Sequence, residues 1–308
     1  MKTTVILVNG DIMARNKPGW INNSLEVIGQ TATTTPSIPC KSFKLFNRCV
    51  GNPIHPATSE RTDVFDYQEE YEQAWNTHHK LLLNKSRKIG ATETALRIIL
   101  YNCMNGTYKS HHRVMIVAGN NQDVANRFLA RFIAIIGDGF TDLDGKVWKK
   151  EDIFPEYQSS KAKLFNGIHI QAYPANESVR GEENVICVFL SESAFINLND
   201  DTKVYNAVHP NVANIGHADF VMESTPNGKR GFFWSLFVTE NEYYKLEQPY
   251  TVAMGKLLDE KTIANEKKNP TIDFEQEFCC KFTTSLTGAF KEEDVNFVEQ
   301  KIDDYSDL

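Results

Sequence analysis

The sequence has no run of about 18 apolar residues, the length that predicts a membrane-spanning helix. Near the N-terminus, the apolar core from Val5 to Val8 is too short for a secretory signal peptide. The six cysteines form no C-x-x-C pair, and Cys103 and Cys187 lie in apolar runs where free cysteine packs as a small hydrophobe. We therefore expect a cytoplasmic protein with reduced cysteines, no zinc site and no membrane association.

Positive charge is also in short supply. The chain carries 33 Lys and Arg against 40 Asp and Glu, which gives a net charge of -7. This balance argues against a protein that coats nucleic acid through its overall charge, so any nucleic-acid contact must use a local basic patch. The length of 308 residues predicts about two domains, or one large domain with extensions.

Short apolar segments alternate with helical patterns through most of the chain. We predict strands at residues 80–84, 113–119, 168–175, 184–190 and 220–225. Helical spacing is found at residues 63–79, 93–104, 122–136 and 231–237. This alternation predicts an α/β fold with a mostly parallel central sheet covered on both faces.

The two ends of the chain show weaker patterns. Residues 1–60 are rich in Thr, Asn, Pro and Gly, and we interpret them as an N-terminal extension in which 31–39 and 51–60 are predicted to form loop. The sequence becomes more polar from Asn241 onward, and residues 266–270 are predicted to form a surface loop. The division that we expect is an extension at 1–60, a nucleotide-binding domain at 61–270 and a C-terminal segment at 271–308.

The stretch "KSRKIGATET", residues 85–94, lies between a predicted strand and a predicted helix, which is the setting of a phosphate-binding loop. Gly90 permits a sharp turn, Thr92 places a hydroxyl at the start of the helix for Mg²⁺, and three cations flank the loop entrance: Lys85, Arg87 and Lys88. The usual loop has its lysine directly after the last glycine, where this chain has Ala91. A basic turn without a ligand explains this stretch alone equally well.

Two further strand ends carry polar residues. The apolar run 185–190 ends in Ser191 and Glu192, where a P-loop ATPase has an aspartate for the metal shell and a glutamate that polarises the attacking water. The strand at 220–225 ends in Ser224 and Thr225, followed by a turn through Asn227, and these side chains are candidates for sensing a γ-phosphate. Taken singly, Glu192 as a turn cap and 224–228 as a plain turn are adequate alternatives.

In order and spacing, these segments resemble the ATPase domain of the large terminase subunit, the viral DNA-packaging motor, over about residues 65–290. "DYQEEYEQAW" is similar to the glutamine segment of that family, which implies that Gln68 contacts adenine. "KSRKIGATET" resembles a terminase form of the Walker A loop whose lysine stands at its start, which implies that Lys85 takes the lysine role. The residues implied to bind the nucleotide are Gln68, Lys85, Ser86, Arg87, Lys88, Ile89, Gly90, Ala91, Thr92 and Glu93.

The resemblance continues through the later segments. "ESVRGEENVICVFLSESAFI" is similar to the Walker B region, which implies that Glu192 is the catalytic glutamate, Ser191 and Thr92 order Mg²⁺, and Arg180 reaches ATP on a neighbouring subunit. "ESTPNG" resembles the coupling motif, with Ser224, Thr225 and Asn227 at its matching positions. "DFEQEFCCKFTTSLTGAF" is similar to the bridge that leaves the ATPase domain.

The function implied by this resemblance is a three-layer P-loop ATPase that hydrolyses Mg-ATP to translocate double-stranded DNA into a capsid, in the cytoplasm of a host cell. The implied partners are DNA, a portal ring and a small terminase subunit, with a ring of subunits formed on the portal and a monomer in free solution. Carboxylates after residue 290 have no strand pattern to array them around two metals, so we expect no nuclease activity.

Two alternatives differ from this prediction. One is a helicase-like ATPase that acts on nucleic acid without a capsid. The other is a nucleotide-binding scaffold with little hydrolysis, which is favoured by Ala91 in the loop and by the uncharged Ser191 at the Walker B position.

Overall fold

The computed structural model describes residues 7–8, 11–12, 35–177, 179–197, 200–213 and 215–284. Contacts divide the chain into Met1–Thr34 and Thr35–Leu308. In the first unit, strands β1 (Leu7–Val8) and β2 (Asp11–Ile12) pair antiparallel. The C-terminal carboxylates after residue 290 lie outside the described residues. The expected boundaries near residues 60 and 270 stay predictions.

The second unit contains ten strands and ten helices within its described residues. The strands are β3 (Lys80–Lys85), β4 (Arg113–Val117), β5 (Gly139–Thr141), β6 (Val147–Lys149), β7 (Glu156–Tyr157), β8 (Lys161–Lys163), β9 (His169–Tyr173), β10 (Val185–Ser191), β11 (Asp219–Ser224) and β12 (Tyr244–Gln248). The helices are α1 (Phe43–Val50), α2 (Asp66–His78), α3 (Ala91–Met104), α4 (Gln122–Ala134), α5 (Lys150–Ile153), α6 (Asp201–Val208), α7 (Pro210–Ala213), α8 (Gly231–Val238), α9 (Glu260–Lys268) and α10 (Phe274–Glu277). No helix in the described ranges is long and apolar enough to cross a membrane.

An eight-stranded sheet forms the centre of this unit, in the order β12-β3-β11-β10-β4-β9-β8-β7. The strands from β12 to β9 run parallel, and β8 and β7 add an antiparallel edge. Strands β10 and β11, at the centre of the sheet, are buried along their whole lengths, as apolar runs in the sequence predict for a sheet covered on both faces.

Helices cover both faces of the sheet. Helices α3 and α4 belong to connections that run from β3 towards β9, whereas α6, α7 and α8 belong to connections that run back towards β12. Because parallel crossovers are right-handed, the two sets lie on opposite faces. Contacts agree, since α1, α2 and α4 pack on α3, and α6 packs on α7 and α8. The three-layer α/β/α fold class predicted from the sequence is confirmed.

Helix α1 lies between the two stretches predicted to form loop, and the sequence analysis did not predict it. Ser42 caps the helix by accepting a hydrogen bond from the Leu45 N–H at 3.2 Å. Phe43, Phe46 and Val50 face the core with helical spacing. The sequence signal was present but short, and the Pro-rich and Gly-rich flanks obscured it.

The polar region after Asn241 also contains regular structure that the sequence did not reveal. β12 pairs parallel with β3 at the edge of the sheet, and the Ser86 N–H donates to the Gln248 carbonyl at 2.9 Å. The predicted loop at 266–270 is helical up to Lys268, because α9 begins after the N-cap Asp259 and ends there. An edge strand needs only one apolar face, so its sequence has a weak signal.

Asp219, at the start of β11, is a buried carboxylate with complete hydrogen bonding. Its Oδ2 accepts from Trp75 Nε1 at 2.9 Å and from the Tyr108 hydroxyl, and its Oδ1 pairs with His79 Nδ1 at 2.7 Å. The end of α2 and the turn after α3 are thus both tied to β11 through one side chain. A buried carboxylate is tolerated only when its oxygens are satisfied.

Candidate nucleotide site

The carboxyl ends of β3, β11 and β10 meet at one edge of the sheet. The registers pair Glu223 with Ser191 on one side and with Leu83 on the other. Paired residues of parallel strands face the same side, and side chains alternate along a strand. Ser191, Glu223 and Lys85 therefore lie on the same face of the sheet. They are also at the carboxyl ends of their strands, where open α/β sheets bind their ligands.

The loop after β3 turns sharply into α3. Lys88 and Gly90 both have positive φ, at 62° and 74°. A Cβ at Gly90 would lie 3.2 Å from both Gln68 Nε2 and Leu257 Cδ1, so conformation and space both favour glycine here. Helix α3 begins at Ala91, two residues before the predicted start. The backbone N–H groups of residues 88–92 donate to no acceptor in the described part of the chain, which leaves them free for an anion.

Two adjoining cavities surround this loop. The smaller, of about 150 Å³, is lined by Lys85, Ser86, Lys88, Ile89, Gly90, Ala91, Thr92, Glu93 and Arg131. The larger, of about 740 Å³, is bounded by Phe65, Gln68 and Leu257 and shares Gly90 and Glu93 with the smaller one. The larger volume lies within the range of about 300 to 1,000 Å³ typical of small-molecule sites. The structure thus brings nearly all the predicted nucleotide-binding residues around these two adjoining cavities.

Lys85 is a buried cation beside the loop, 7% exposed. Its Nζ donates to Glu192 Oε1 at 2.7 Å and to Thr225 Oγ1 at 3.5 Å. Burial alone would lower the pKa of Lys85, but the carboxylates of Glu192 and Glu223 outweigh burial and raise it. Lys85 is therefore a charged group held at the phosphate loop by carboxylates.

Glu192 follows β10 in a strained conformation. Its φ of 53° and ψ of 44° place it in the left-handed region, which costs a non-glycine residue about 1 to 2 kcal/mol. A 3₁₀ turn at Ser193–Phe195 follows. The Glu192 side chain is 42% exposed, in contrast to the buried Lys85 that it pairs with. This backbone turns the carboxylate out of the sheet and towards solvent.

The predicted coupling residues link two strand ends. The Ala194 N–H donates to Ser224 Oγ at 3.1 Å, and Asn227 Nδ2 donates to the Ala194 carbonyl at 2.9 Å. Since Thr225 contacts Lys85, this turn touches both the lysine and the segment that carries Glu192. Direct contacts therefore join the lysine, the coupling turn and the segment that carries Glu192.

The other predicted cations have partners in the C-terminal helices. Arg87 forms an ion pair with Glu277, and Lys88 Nζ lies 2.6 Å from Glu266 Oε1. The Ser86 hydroxyl donates to the Arg87 carbonyl at 3.0 Å. Residues 274–278 also reach the coupling turn, where Gln276 Oε1 accepts from the Gly228 N–H at 2.8 Å. The C-terminal helices are thus in contact with both loops of the site.

Gln68 and Glu93 border the larger cavity with fixed partners. Gln68 Oε1 accepts from the Phe65 N–H at 3.0 Å, and its amide nitrogen lies near Gly90. Glu93 accepts from Arg97 Nε at 2.9 Å and lies 3.5 Å from an Arg131 nitrogen. Arg131, on α4, was not predicted, because nothing local in the sequence shows that α4 packs beside α3.

Arg180 is a predicted site residue that lines neither of the two cavities. It lies between β9 and β10, 62% exposed, with a nitrogen 3.8 Å from Glu177 Oε2. An exposed arginine at this position is available to a second molecule, which is the arrangement that action in trans requires.

Glu223 is a site residue that the sequence analysis missed. It is fully buried. Its Oε1 accepts from Thr92 Oγ1 at 2.6 Å and from Ser191 Oγ at 3.0 Å, so it joins both hydroxyls predicted to order a metal. Burial raises the pKa of Glu223, against the lowering effect of Lys85. The available signal was a glutamate inside an otherwise apolar strand, FVMES.

The side chains around Glu223 determine whether this site suits Mg²⁺. Among the described residues, no group of three or more His, Cys, Asp or Glu is arranged to hold a metal ion. Mg²⁺ bound with a nucleotide needs few protein ligands, since phosphates and waters supply most of its oxygens. The Thr92 and Ser191 hydroxyls beside the Glu223 carboxylate form an oxygen set that fits this type of site.

The fold places this chain among three-layer α/β/α proteins with a mostly parallel central sheet. No protein-family model and no curated protein matches the chain. Among solved structures, a mutant of the Thermus phage P74-26 large terminase ATPase domain is similar with a TM-score of 0.53 and 15% identity, over 70% of this chain and 93% of that one. The HK97 bacteriophage large terminase is similar with a TM-score of 0.56 and 12% identity, over 74% and 53% of the two chains.

The large terminase of a thermophilic bacteriophage, in complex with ADP, is similar with a TM-score of 0.52 and 11% identity, over 71% of this chain and 53% of that one. The chain thus spans nearly all of the P74-26 ATPase domain and about half of the two other large terminases. At such identities the likeness concerns the fold. The chain has the fold of large terminase ATPase domains, which confirms the structural side of the resemblance seen in the sequence.

Proposed function

We propose that this protein is a Mg-ATP hydrolase of the DNA-packaging type, with its active site at the carboxyl ends of β3, β10 and β11. The observation that carries the proposal is the contact between buried Lys85 and Glu192 next to a loop with free backbone N–H groups. This contact unites a phosphate-binding cation with a candidate catalytic carboxylate. The likeness in fold to large terminases, including the one in complex with ADP, supports the same choice.

The contacts suggest the sequence of events on nucleotide binding. The β- and γ-phosphates enter the smaller cavity and compete with Glu192 for the ammonium of Lys85. Glu192 then has a free carboxylate, on an exposed turn, that can orient a water for in-line attack and accept its proton. Adenine occupies the larger cavity beside Gln68.

Mg²⁺, when bound with the nucleotide, neutralises charge on the phosphoryl oxygens. On the protein, Thr92 and Ser191 are the residues that would hold it. Movement of Lys85 or Glu192 is passed to the coupling turn through Thr225 and through Ala194. By likeness to the terminases, that movement drives translocation of double-stranded DNA, on a portal ring and with a small terminase subunit, in a ring where Arg180 completes the neighbouring site.

ATP turnover tests this proposal directly. We expect Mg-dependent hydrolysis that rises with DNA, and a fall of about 10²- to 10⁴-fold in Glu192→Gln, the range for loss of a general base. Lys85→Ala should lose nucleotide binding as well. The matched controls Lys161→Ala and Glu240→Gln change exposed residues that line neither cavity and should keep wild-type turnover.

The outcomes separate the alternatives. Absence of nucleotide binding by the wild-type chain would refute the P-loop proposal. Binding that needs Lys85, without turnover in the presence of DNA and portal, would identify a nucleotide-binding scaffold, for which the uncharged Ser191 is the favouring feature. Strand displacement coupled to turnover would identify a helicase-like enzyme instead of a packaging motor.

A further inference from the structure

The carboxylate of Glu223 is only half satisfied. Both hydroxyl donors, Thr92 and Ser191, bond to its Oε1. Its Oε2 is buried and has no hydrogen-bond partner within the described part of the chain. A buried acceptor without a donor destabilises the folded state, so packing does not explain why Glu223 is at this position. A ligand that contacts Oε2 would explain it.

The two donors identify the kind of ligand. Thr92 is the second residue of the helix after the phosphate loop, and Ser191 ends β10 at the position where an aspartate would bring negative charge. When both hydroxyls give their hydrogens to Glu223, their oxygen lone pairs are left for a cation. The strand register also sets Glu223 directly beside Ser191, one strand away.

We propose that Glu223 is the carboxylate of the magnesium site, where it fixes the Thr92 and Ser191 hydroxyls and supplies the negative charge that Ser191 lacks. The charge that a P-loop ATPase usually carries on the strand of its catalytic glutamate is here on the neighbouring strand. Glu223 acts through the two hydroxyls, as a positioning residue, and its second oxygen accepts from water around the metal. This inference rests on the proposed function of the site.

Metal-dependent binding of fluorescent ADP is the direct test, because it needs no turnover. Affinity is measured in EDTA and across a Mg²⁺ titration for the wild type, Glu223→Gln and the control Glu240→Gln. We expect equal metal-free affinities and a Mg²⁺-dependent gain that falls about 10- to 100-fold in Glu223→Gln, as for other groups that orient metal ligands. Mn²⁺ EPR in the presence of ADP should show the same loss of bound metal.

A rescue variant sharpens the test. Ser191→Asp in the Glu223→Gln background returns a carboxylate to β10 and should restore most of the metal-dependent gain. If Glu223 had only a structural role, Glu223→Gln would change the affinity for ADP in EDTA and in Mg²⁺ by the same factor, and Ser191→Asp would not restore it. Should Glu223→Gln fail to fold, Glu223→Asp keeps the charge but withdraws it by one methylene, and a partial loss of the gain is expected.

Two negative results have distinct meanings. A wild type that binds Mg-ADP more tightly than ADP, with the same gain in Glu223→Gln and Glu223→Asp, would overturn this inference and leave the proposed function standing. A wild type that binds no nucleotide in either condition would refute the proposed function, and the inference with it.

Discussion

Strand β11 carries a buried carboxylate at each end, and the two are treated differently. At its amino end, Asp219 accepts hydrogen bonds on both oxygens from Trp75, Tyr108 and His79. Near its carboxyl end, Glu223 has one oxygen with two donors and one with none among the residues that the structure describes. Similar burial in one strand therefore serves two purposes. A complete network fixes the fold, whereas an incomplete one is kept at the edge where ligands bind.

Breaking the complete network should have the largest effect on stability. Asp219→Asn replaces one acceptor oxygen by a donor and sets it against the donors around Asp219, so we expect a loss of about 2 to 4 kcal/mol in the free energy of unfolding. Urea unfolding followed by circular dichroism measures it. The exposed Asp144→Asn is the matched control. A loss below that of the control would mean that the Asp219 network adds nothing to the fold.

Replacing the carboxylate by an amide at Glu223, near the other end of β11, should change stability less and in the opposite direction. Because burial raises the pKa of Glu223, the ionised form destabilises the folded state, and stability falls as pH rises above the ordinary value of 4.5. Glu223→Gln should remove that fall and gain about 1 kcal/mol at pH 7. Unfolding free energies of both proteins between pH 4 and 8 measure it. If the unfolding free energies of the two proteins change with pH in the same way, burial of the ionised Glu223 does not destabilise the fold.

The smallest effect on stability is expected at His79, the partly exposed member of the Asp219 network. The hydrogen bond to Asp219 raises the pKa of His79 above its ordinary 6.5, despite burial, so protonated His79 stabilises the fold. This contribution is full below pH 6.5 and disappears as pH rises through the folded pKa. His79→Asn, which tolerates the φ of 60° at this position, should narrow the stability gap to the wild type as pH rises from about 6 to about 9. A gap that stays constant would assign the effect to packing.

Local pattern explains which parts of the site were predictable. The apolar runs predicted the boundaries of five strands to within one or two residues. Residues 85–94 predicted a loop with cations and a hydroxyl near the start of a helix. Lys85 was predicted as the phosphate-binding lysine, and the structure holds it beside that loop against Glu192. These features are encoded by neighbours in sequence, where alternation, glycine and helix starts act over a few residues.

Weak local pattern explains the elements that were missed. α1 has helical spacing over eight residues between irregular flanks, and β12 is an edge strand with alternating burial. Both are stabilised by distant contacts: Arg97, on α3, donates to Asn47 Oδ1 of α1 at 2.8 Å, and β12 pairs with β3. Tertiary contacts of this kind decide elements whose own propensity is marginal.

The sequence by itself determined the α/β class, five strands of the central sheet and the polar residue types at three strand ends, because these depend on periodicity and on residue type. Only the tertiary structure decided that β11 lies between β3 and β10, and that its register sets Glu223 beside Ser191. A strand order in space is fixed by crossover handedness and by the burial of both sheet faces. Because this spatial order cannot be read from local sequence, Glu223, 32 residues after Ser191, was recognised as a site residue only in the structure.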